Sequence, residues 1–126
     1  MVSKKENFNK QIGYPEKRWL QFLILRTICE KPTYGYELIK SIENISNGKH
    51  IVKPGTMYTT LRRMEKEGII KSTWEDNNSG PKSRVYKITK KGENYLKSWL
   101  EFVIERKKMI DKMVDFYKKY FGDRQK

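Results

Sequence analysis

Three short helical segments, a strand pair joined by a turn rich in Asn, Ser, Gly and Pro, and a proline-free heptad run predict the fold class. That class is α+β and mainly helical: a winged helix-turn-helix domain followed by a long C-terminal dimerisation helix. The expected organisation is a basic N-terminal arm over residues 1–14, a winged-helix domain over 15–91 and the dimerisation helix over 92–126.

Residues 1–14 are polar and basic and are expected to form a mobile arm. Pro15 suits the first turn of a helix, where its missing N–H removes nothing. The run that follows, EKRWLQFLILRTICEK, is apolar at Trp19, Leu20, Phe22, Leu23, Ile24, Leu25, Ile28 and Cys29, which is more than one stripe. A helix apolar on more than one face must be covered on more than one face, so Trp19, Phe22 and Leu23 are expected against a partner chain. Cys29 reads as a small buried hydrophobe.

Pro32 ends this helix. In YGYELIKSIENISNG, Leu38, Ile39, Ile42 and Ile45 share one face, and Asn47-Gly48 marks a helix-ending turn. Pro54 holds Lys53 out of the helical region and opens a third helix that Gly68 stops. This third helix has two faces. Met57, Leu61 and Met64 recur at helical spacing, and Thr56, Thr59, Thr60, Arg62 and Arg63 form a face of hydroxyl and guanidinium groups. Tyr58 suits either face.

After Gly68 the period changes from helical to alternating. IIKSTWED and SRVYKIT read as strands, and NNSGPK between them is a hairpin tip flanked by Lys82 and Arg84. Thr89 is a good N-cap for the last segment. There Leu96, Val103, Ile110 and Tyr117 fall seven apart, with Trp99, Met113 and Tyr120 in a second row and Leu100, Val114 and Phe121 in a third. A small domain alone cannot cover so long a stripe, which predicts a homodimer with Leu96, Trp99, Leu100, Val103, Ile110, Met113, Val114 and Tyr117 at its interface; folding back as an intramolecular hairpin is the alternative.

Charge narrows the function. Across 126 residues, 28 Lys and Arg oppose 15 Asp and Glu, for a net charge of +13. From Asn47 to Lys91 there are eleven basic and four acidic residues, clustered on the third helix and the hairpin. A surplus placed there favours double-stranded DNA as partner. In such folds the helix N-terminus meets base edges in the major groove while the wing lies over backbone or minor groove. The candidate DNA-binding residues are therefore Tyr34, Tyr36, Lys53, Gly55, Thr56, Tyr58, Thr59, Thr60, Arg62, Arg63, Lys82, Ser83 and Arg84.

Other chemistry has little to stand on. His50 is the only histidine, so no zinc spacing, His–carboxylate pair or Cys–His pair is present, and no phosphate-cradling glycine motif occurs. The expectation is a protein that is not an enzyme and needs no cofactor or metal. One cysteine, no signal-peptide core and no apolar run of spanning length predict a cytoplasmic protein without a membrane partner. Two other classes remain open on charge and fold alone: a sequence-indifferent architectural DNA protein, and a winged-helix module that binds protein.

The segments TYGYELIKSIENISNG, KPGTMYTTLRRMEKEGIIKSTW and GPKSRVYKITKKG resemble, in order and spacing, the PadR family of prokaryotic transcriptional regulators. The resemblance runs from Trp19 to Leu100 and is most specific from Pro54 to Gly92. It implies a winged-helix regulator with a C-terminal dimerisation helix; with the charge pattern, the expected function is a homodimeric repressor of a pseudo-palindromic operator. Tyr34, Gly35 and Tyr36 would open the second helix, and Gly55, Thr56 and Tyr58 would belong to the recognition helix. Arg84, Tyr86, Thr89 and Gly92 would close the wing and start the last helix. The short C-terminal part resembles the branch with a drug-binding pore at the dimer centre, which implies a small aromatic or apolar effector meeting Trp99 and Val103. Two departures stand out. Trp99 lies one turn before the aligned pore position, which holds Val103, and position 59, often proline in the family, is threonine.

Overall fold

The computed structural model describes residues 16–49, 51–77 and 80–122, with side chains at 19–49, 51–75 and 83–122. Helix α1 is Glu16–Glu30, strand β1 Thr33–Tyr34, helix α2 Gly35–Ile45 and helix α3 Pro54–Lys66. Strands β2 (Ile70–Asn77) and β3 (Gly80–Ile88) form the hairpin, and helix α4 is Lys90–Phe121. The chain divides after Glu93 into two compact units. The expected N-terminal arm, Pro15, His50 and part of the hairpin tip lie outside the described residues.

The core follows from helical spacing. In α1, Gln21, Ile24, Leu25 and Ile28 are buried at i, i+3, i+4 and i+7 beside Phe22; in α3 the same interval buries Met57, Thr60, Leu61 and Met64. Leu38 and Ile42 of α2 and Ile70, Val85 and Tyr86 of the sheet complete it. Cys29, expected inside, is exposed. It falls one position beyond Ile28, on the side of the helix away from the core. Phe22 and Leu96, expected to meet a partner chain, are buried in the single chain.

The C-terminal ends of α2 and α3 are closed by the same device. At the end of α2, Asn47 (φ 55) and Gly48 (φ 78) are left-handed, and their N–H groups donate to the carbonyls of Asn44 (3.1 Å) and Glu43 (2.8 Å). At the end of α3, Gly68 (φ 80) donates to the Glu65 carbonyl (3.0 Å) and Ile69 to that of Met64 (3.1 Å). These are Schellman caps, and they satisfy carbonyls that the helix itself cannot.

The sheet has three strands in the order β1-β3-β2, all antiparallel. Strand β1 has no signal in the periodicity, because two residues are too few to show one. Thr33 pairs with Tyr86 and Tyr34 with Val85, which fixes the start of α2 against the wing. In the hairpin, Trp74 faces Arg84 and Glu75 faces Ser83 across the strands.

The start of α4 is locked to the end of α3. The Gly92 N–H donates to Thr89 Oγ1 (3.1 Å), the capping role expected of that threonine, and Thr89 Oγ1 donates to the Gly68 carbonyl (2.7 Å). Lys91 Nζ donates to the Glu67 carbonyl (2.7 Å). A Cβ on Gly92 would overlap the Ile69 carbonyl oxygen, so this crossing needs glycine.

Beyond the break, α4 presents a long apolar surface. Leu100, Phe102, Ile104, Met109, Ile110, Met113, Val114, Phe116, Tyr117, Tyr120 and Phe121 are all exposed in the single chain. Lys107 and Asp111 form an i,i+4 pair at 2.8 Å on the same helix, and the neighbouring aspartate holds the Lys107 ammonium above its ordinary pKa.

Candidate nucleic-acid interface

Helix α3 turns its two faces in different directions. Lys53, Gly55, Thr56, Tyr58, Thr59, Arg62 and Arg63 are exposed, while Met57, Leu61 and Met64 are buried. Thr60 departs from the expected list. It is 7% exposed, and its hydroxyl donates to the Thr56 carbonyl at 2.8 Å within the helix. Thr60 is therefore part of the packed face and presents nothing to a groove.

Tyr58, which suited either face, serves neither alone. It is 40% exposed, and its ring lies across the start of α2, where a Cβ on Gly35 would meet Tyr58 Cε1 at 2.7 Å. The missing side chain at Gly35 lets the ring approach the first turn of α2. That turn has no side-chain cap on its N–H groups. Tyr34 and Tyr36 stack with centroids 5.6 Å apart and planes 9° from parallel. Partial burial, then the Glu75 carboxylate, raises the Tyr34 phenol above its ordinary pKa, so it stays a neutral donor.

Between these elements lies a cleft of about 430 Å³, lined by Gly35, Tyr36, Tyr58, Arg62, Trp74, Ser83, Arg84 and Tyr86. It gathers expected residues from three separate stretches of sequence: Tyr36 from α2, Tyr58 and Arg62 from α3, and Ser83 and Arg84 from β3. No carboxylate is among its described lining residues. Arg63 points elsewhere and pairs with Glu67 at 3.6 Å. The backbone of Lys82 belongs to β3, but its side chain is outside the described ones.

Arg84 is the best-defined cation of the cleft. Its guanidinium carbon sits 5.0 Å from the centroid of the Trp74 ring, a cation–π contact between cross-strand partners. Its Nε is buried and, among the described residues, without a hydrogen-bond partner. Tyr86 forms part of the wall. Burial pushes its phenol up, while the Arg84 guanidinium beside it pulls the other way through hydrogen bonding and charge.

Sequence reasoning missed Trp74 as a functional residue. It is 62% exposed on β2, although it alternates in step with buried Ile70. The hairpin extends past the core, so alternation there no longer reports burial. The usable signal is the hairpin register, which sets an exposed tryptophan opposite an arginine.

Among the described residues no helix is long and apolar enough to cross a membrane, and no group of three or more His, Cys, Asp and Glu side chains is placed to hold a metal ion.

Comparison with known proteins agrees with this layout. Residues 24–98 match the transcriptional regulator PadR-like family. The chain is 32% identical over 95 residues to the transcriptional regulator YqjI of Escherichia coli, covering 75% of this chain and 42% of that protein. A PadR family transcription regulator from Clostridium difficile has a TM-score of 0.67 at 29% identity, covering 76% of this chain and 98% of that one. Bacillus subtilis PadR, solved in complex with operator DNA, shares the fold with a TM-score of 0.59 at 21% identity, covering 64% of this chain and 46% of that one. The chain belongs to the PadR-like family of transcriptional regulators, which are not enzymes.

Proposed function

We propose that the protein binds a pseudo-palindromic operator in double-stranded DNA as a homodimer and represses transcription by occupying a promoter. The observation that carries this reading is the exposed hydroxyl and guanidinium face of α3, set beside a cleft with two arginines and no carboxylate among its described lining residues. Thr56 and Thr59 would enter the major groove, Arg62 beside them would take a phosphate or a base edge, and Ser83, Arg84 and Lys82 would follow the backbone or minor groove. Lys53, Gly55 and Tyr58 frame the start of the helix, and Tyr34 and Tyr36 stand at the first turn of α2. The operator complex of Bacillus subtilis PadR supports the same use of this fold.

The dimer reading rests on the exposed stripe of α4, where Leu100, Ile110, Met113, Val114 and Tyr117 lie beside half-buried Trp99 and Val103. Trp19 and Leu23 of α1 are half-buried and stay among the candidate contacts. A small aromatic or apolar effector is the remaining part of the reading. It would meet Trp99 and Val103, one turn apart on α4, and act by changing the angle between the two recognition helices. The family context and the absence of a membrane-spanning helix among the described residues support a cytoplasmic site of action.

Two measurements test the DNA part. Affinity for a selected duplex is expected to fall roughly a thousandfold between about 50 and 200 mM salt, the loss typical of about six phosphate contacts. Unrelated duplex should compete poorly. Equal competition by any duplex would instead identify an architectural DNA protein, and absence of duplex binding would identify a protein-binding module.

Arg62→Ala is expected to weaken operator binding by about 1–3 kcal/mol in fluorescence anisotropy. Arg63→Ala should cost less, because its guanidinium already pairs with Glu67. Loss across all sequences would mark a phosphate contact, and a relaxed preference at one position would mark a base contact. Equal losses for the two variants would contradict the placement of Arg62 in the cleft.

A further inference from the structure

The cleft poses a chemical question that general DNA binding does not answer. Arg84 keeps a buried Nε donor without an acceptor among the described residues. An unmade bond of this kind is costly, and more so on a charged group. Arg62 lines the same space, and neither arginine has an ion pair among the described residues. Of the carboxylates near the cleft, Glu65 accepts from Ser72 Oγ at 2.6 Å, and Glu75 stands close enough to Tyr34 to raise its phenol pKa. Around the two guanidinium groups stand the hydroxyls of Tyr36, Tyr58 and Ser83 and the uncapped first turn of α2 at Gly35. Every one of these groups favours an oxyanion, and none competes as an anion itself.

The exposed tryptophan gains a reason from the same geometry. An arginine on a hairpin arm ordinarily samples many rotamers. Here the Trp74 face, across the strands at 5.0 Å, restricts the guanidinium to the cleft. Trp74 is thereby a positioning residue.

We propose that this cleft is a socket for one phosphate group, gripped by Arg84 and Arg62 and kept in shape by Trp74. The phosphate has two possible sources with the same chemistry: a single backbone position of the operator, or a free phosphorylated compound that would compete with DNA for the cleft. A volume of about 430 Å³ is in the range of small-ligand sites and admits either. The backbone source rests on the DNA-binding reading above, whereas the free source does not.

The full chain tests both. Anisotropy is measured on the selected duplex carrying one neutral methylphosphonate at a time, with wild type, Arg84→Gln, Trp74→Leu and Trp74→Phe. For the backbone source, one position per half-site should cost wild type roughly tenfold, the scale of a charged hydrogen bond, and cost Arg84→Gln nothing further. Trp74→Leu should lose much of that coupling, and Trp74→Phe, which keeps an aromatic face, should retain it. Lys71→Gln, an exposed lysine outside the cleft, should weaken binding without singling out any phosphate. If Arg84→Gln melts early by circular dichroism, Arg84→Lys replaces it in the same cycle. Calorimetric titration with inorganic phosphate and with AMP covers the free source, for which wild type should bind and Arg84→Gln should not. Selective duplex binding with no coupling to Arg84, together with no binding of phosphate or AMP, would overturn the socket and leave the operator reading intact. Loss of both duplex and phosphate binding would overturn the two together.

Discussion

Changing Ile110 and Met113 together to glutamate is expected to leave the protein monomeric by preventing the proposed dimer. Operator affinity should fall with it by roughly 10²–10⁴-fold, the gain that linking two binding modules supplies. Both residues are more than half exposed in the single chain, at 53% and 63%, so the change leaves the packed core untouched. They lie three apart on one face of α4, in the segment where apolar residues recur at heptad intervals as far as Phe121. Two charges per chain at that seam would be buried in a dimer without partners, a cost that association cannot absorb. Sedimentation gives the mass and anisotropy the affinity. An unchanged dimer mass would show that another surface joins the chains.

The second large effect concerns folding. Gly92→Ala is expected to destabilise the winged-helix unit by about 3 kcal/mol, at the upper end of what overpacking a tight site costs. The added Cβ would overlap the Ile69 carbonyl oxygen and come within 2.9 Å of Ile88 Cγ1. Its neighbours are poorly free to move. The Ile69 carbonyl also accepts from the Thr89 N–H at 3.2 Å, and the Ile69 N–H is committed to the cap of α3. A shift that admitted the methyl group would therefore break the junction of α3, β3 and α4. Urea unfolding monitored by circular dichroism reads the change, and an unaltered midpoint would mean that the crossing is looser than its geometry indicates.

Much of this design was legible from residues. The three helices, the hairpin, the Asn47-Gly48 and Gly68 stops and the Thr89 cap each have a local chemical cause, so short windows of sequence carry them. The errors share a cause as well. Thr60 was grouped with the exposed hydroxyls by residue type, although the interval from Met57 to Thr60, Leu61 and Met64 is the buried interval of a helix. Cys29 stands in an apolar run, but the hydrophobicity of a run does not report which side of the helix a residue takes, and Cys29 is exposed. Phe22 belongs to that run and Leu96 to the heptad stripe, and both are buried in the single chain.

The candidate site was legible only in pieces. Tyr36, Tyr58, Arg62, Ser83 and Arg84 could each be named from charge, spacing and resemblance, but their convergence depends on tertiary pairing. Strand β1 brings the start of α2 to the wing through two residue pairs, and the hairpin register brings Trp74 to Arg84. Neither relation is periodic in the sequence.

The central claim is sequence-specific binding by a symmetric dimer, and selection of bound sites from a pool of random duplex DNA tests it most directly. Enrichment of a two-fold symmetric motif is predicted, with half-site centres about 10 bp apart or at a multiple of that spacing. A pool that stays random through successive rounds, while the protein still retains duplex, would contradict it.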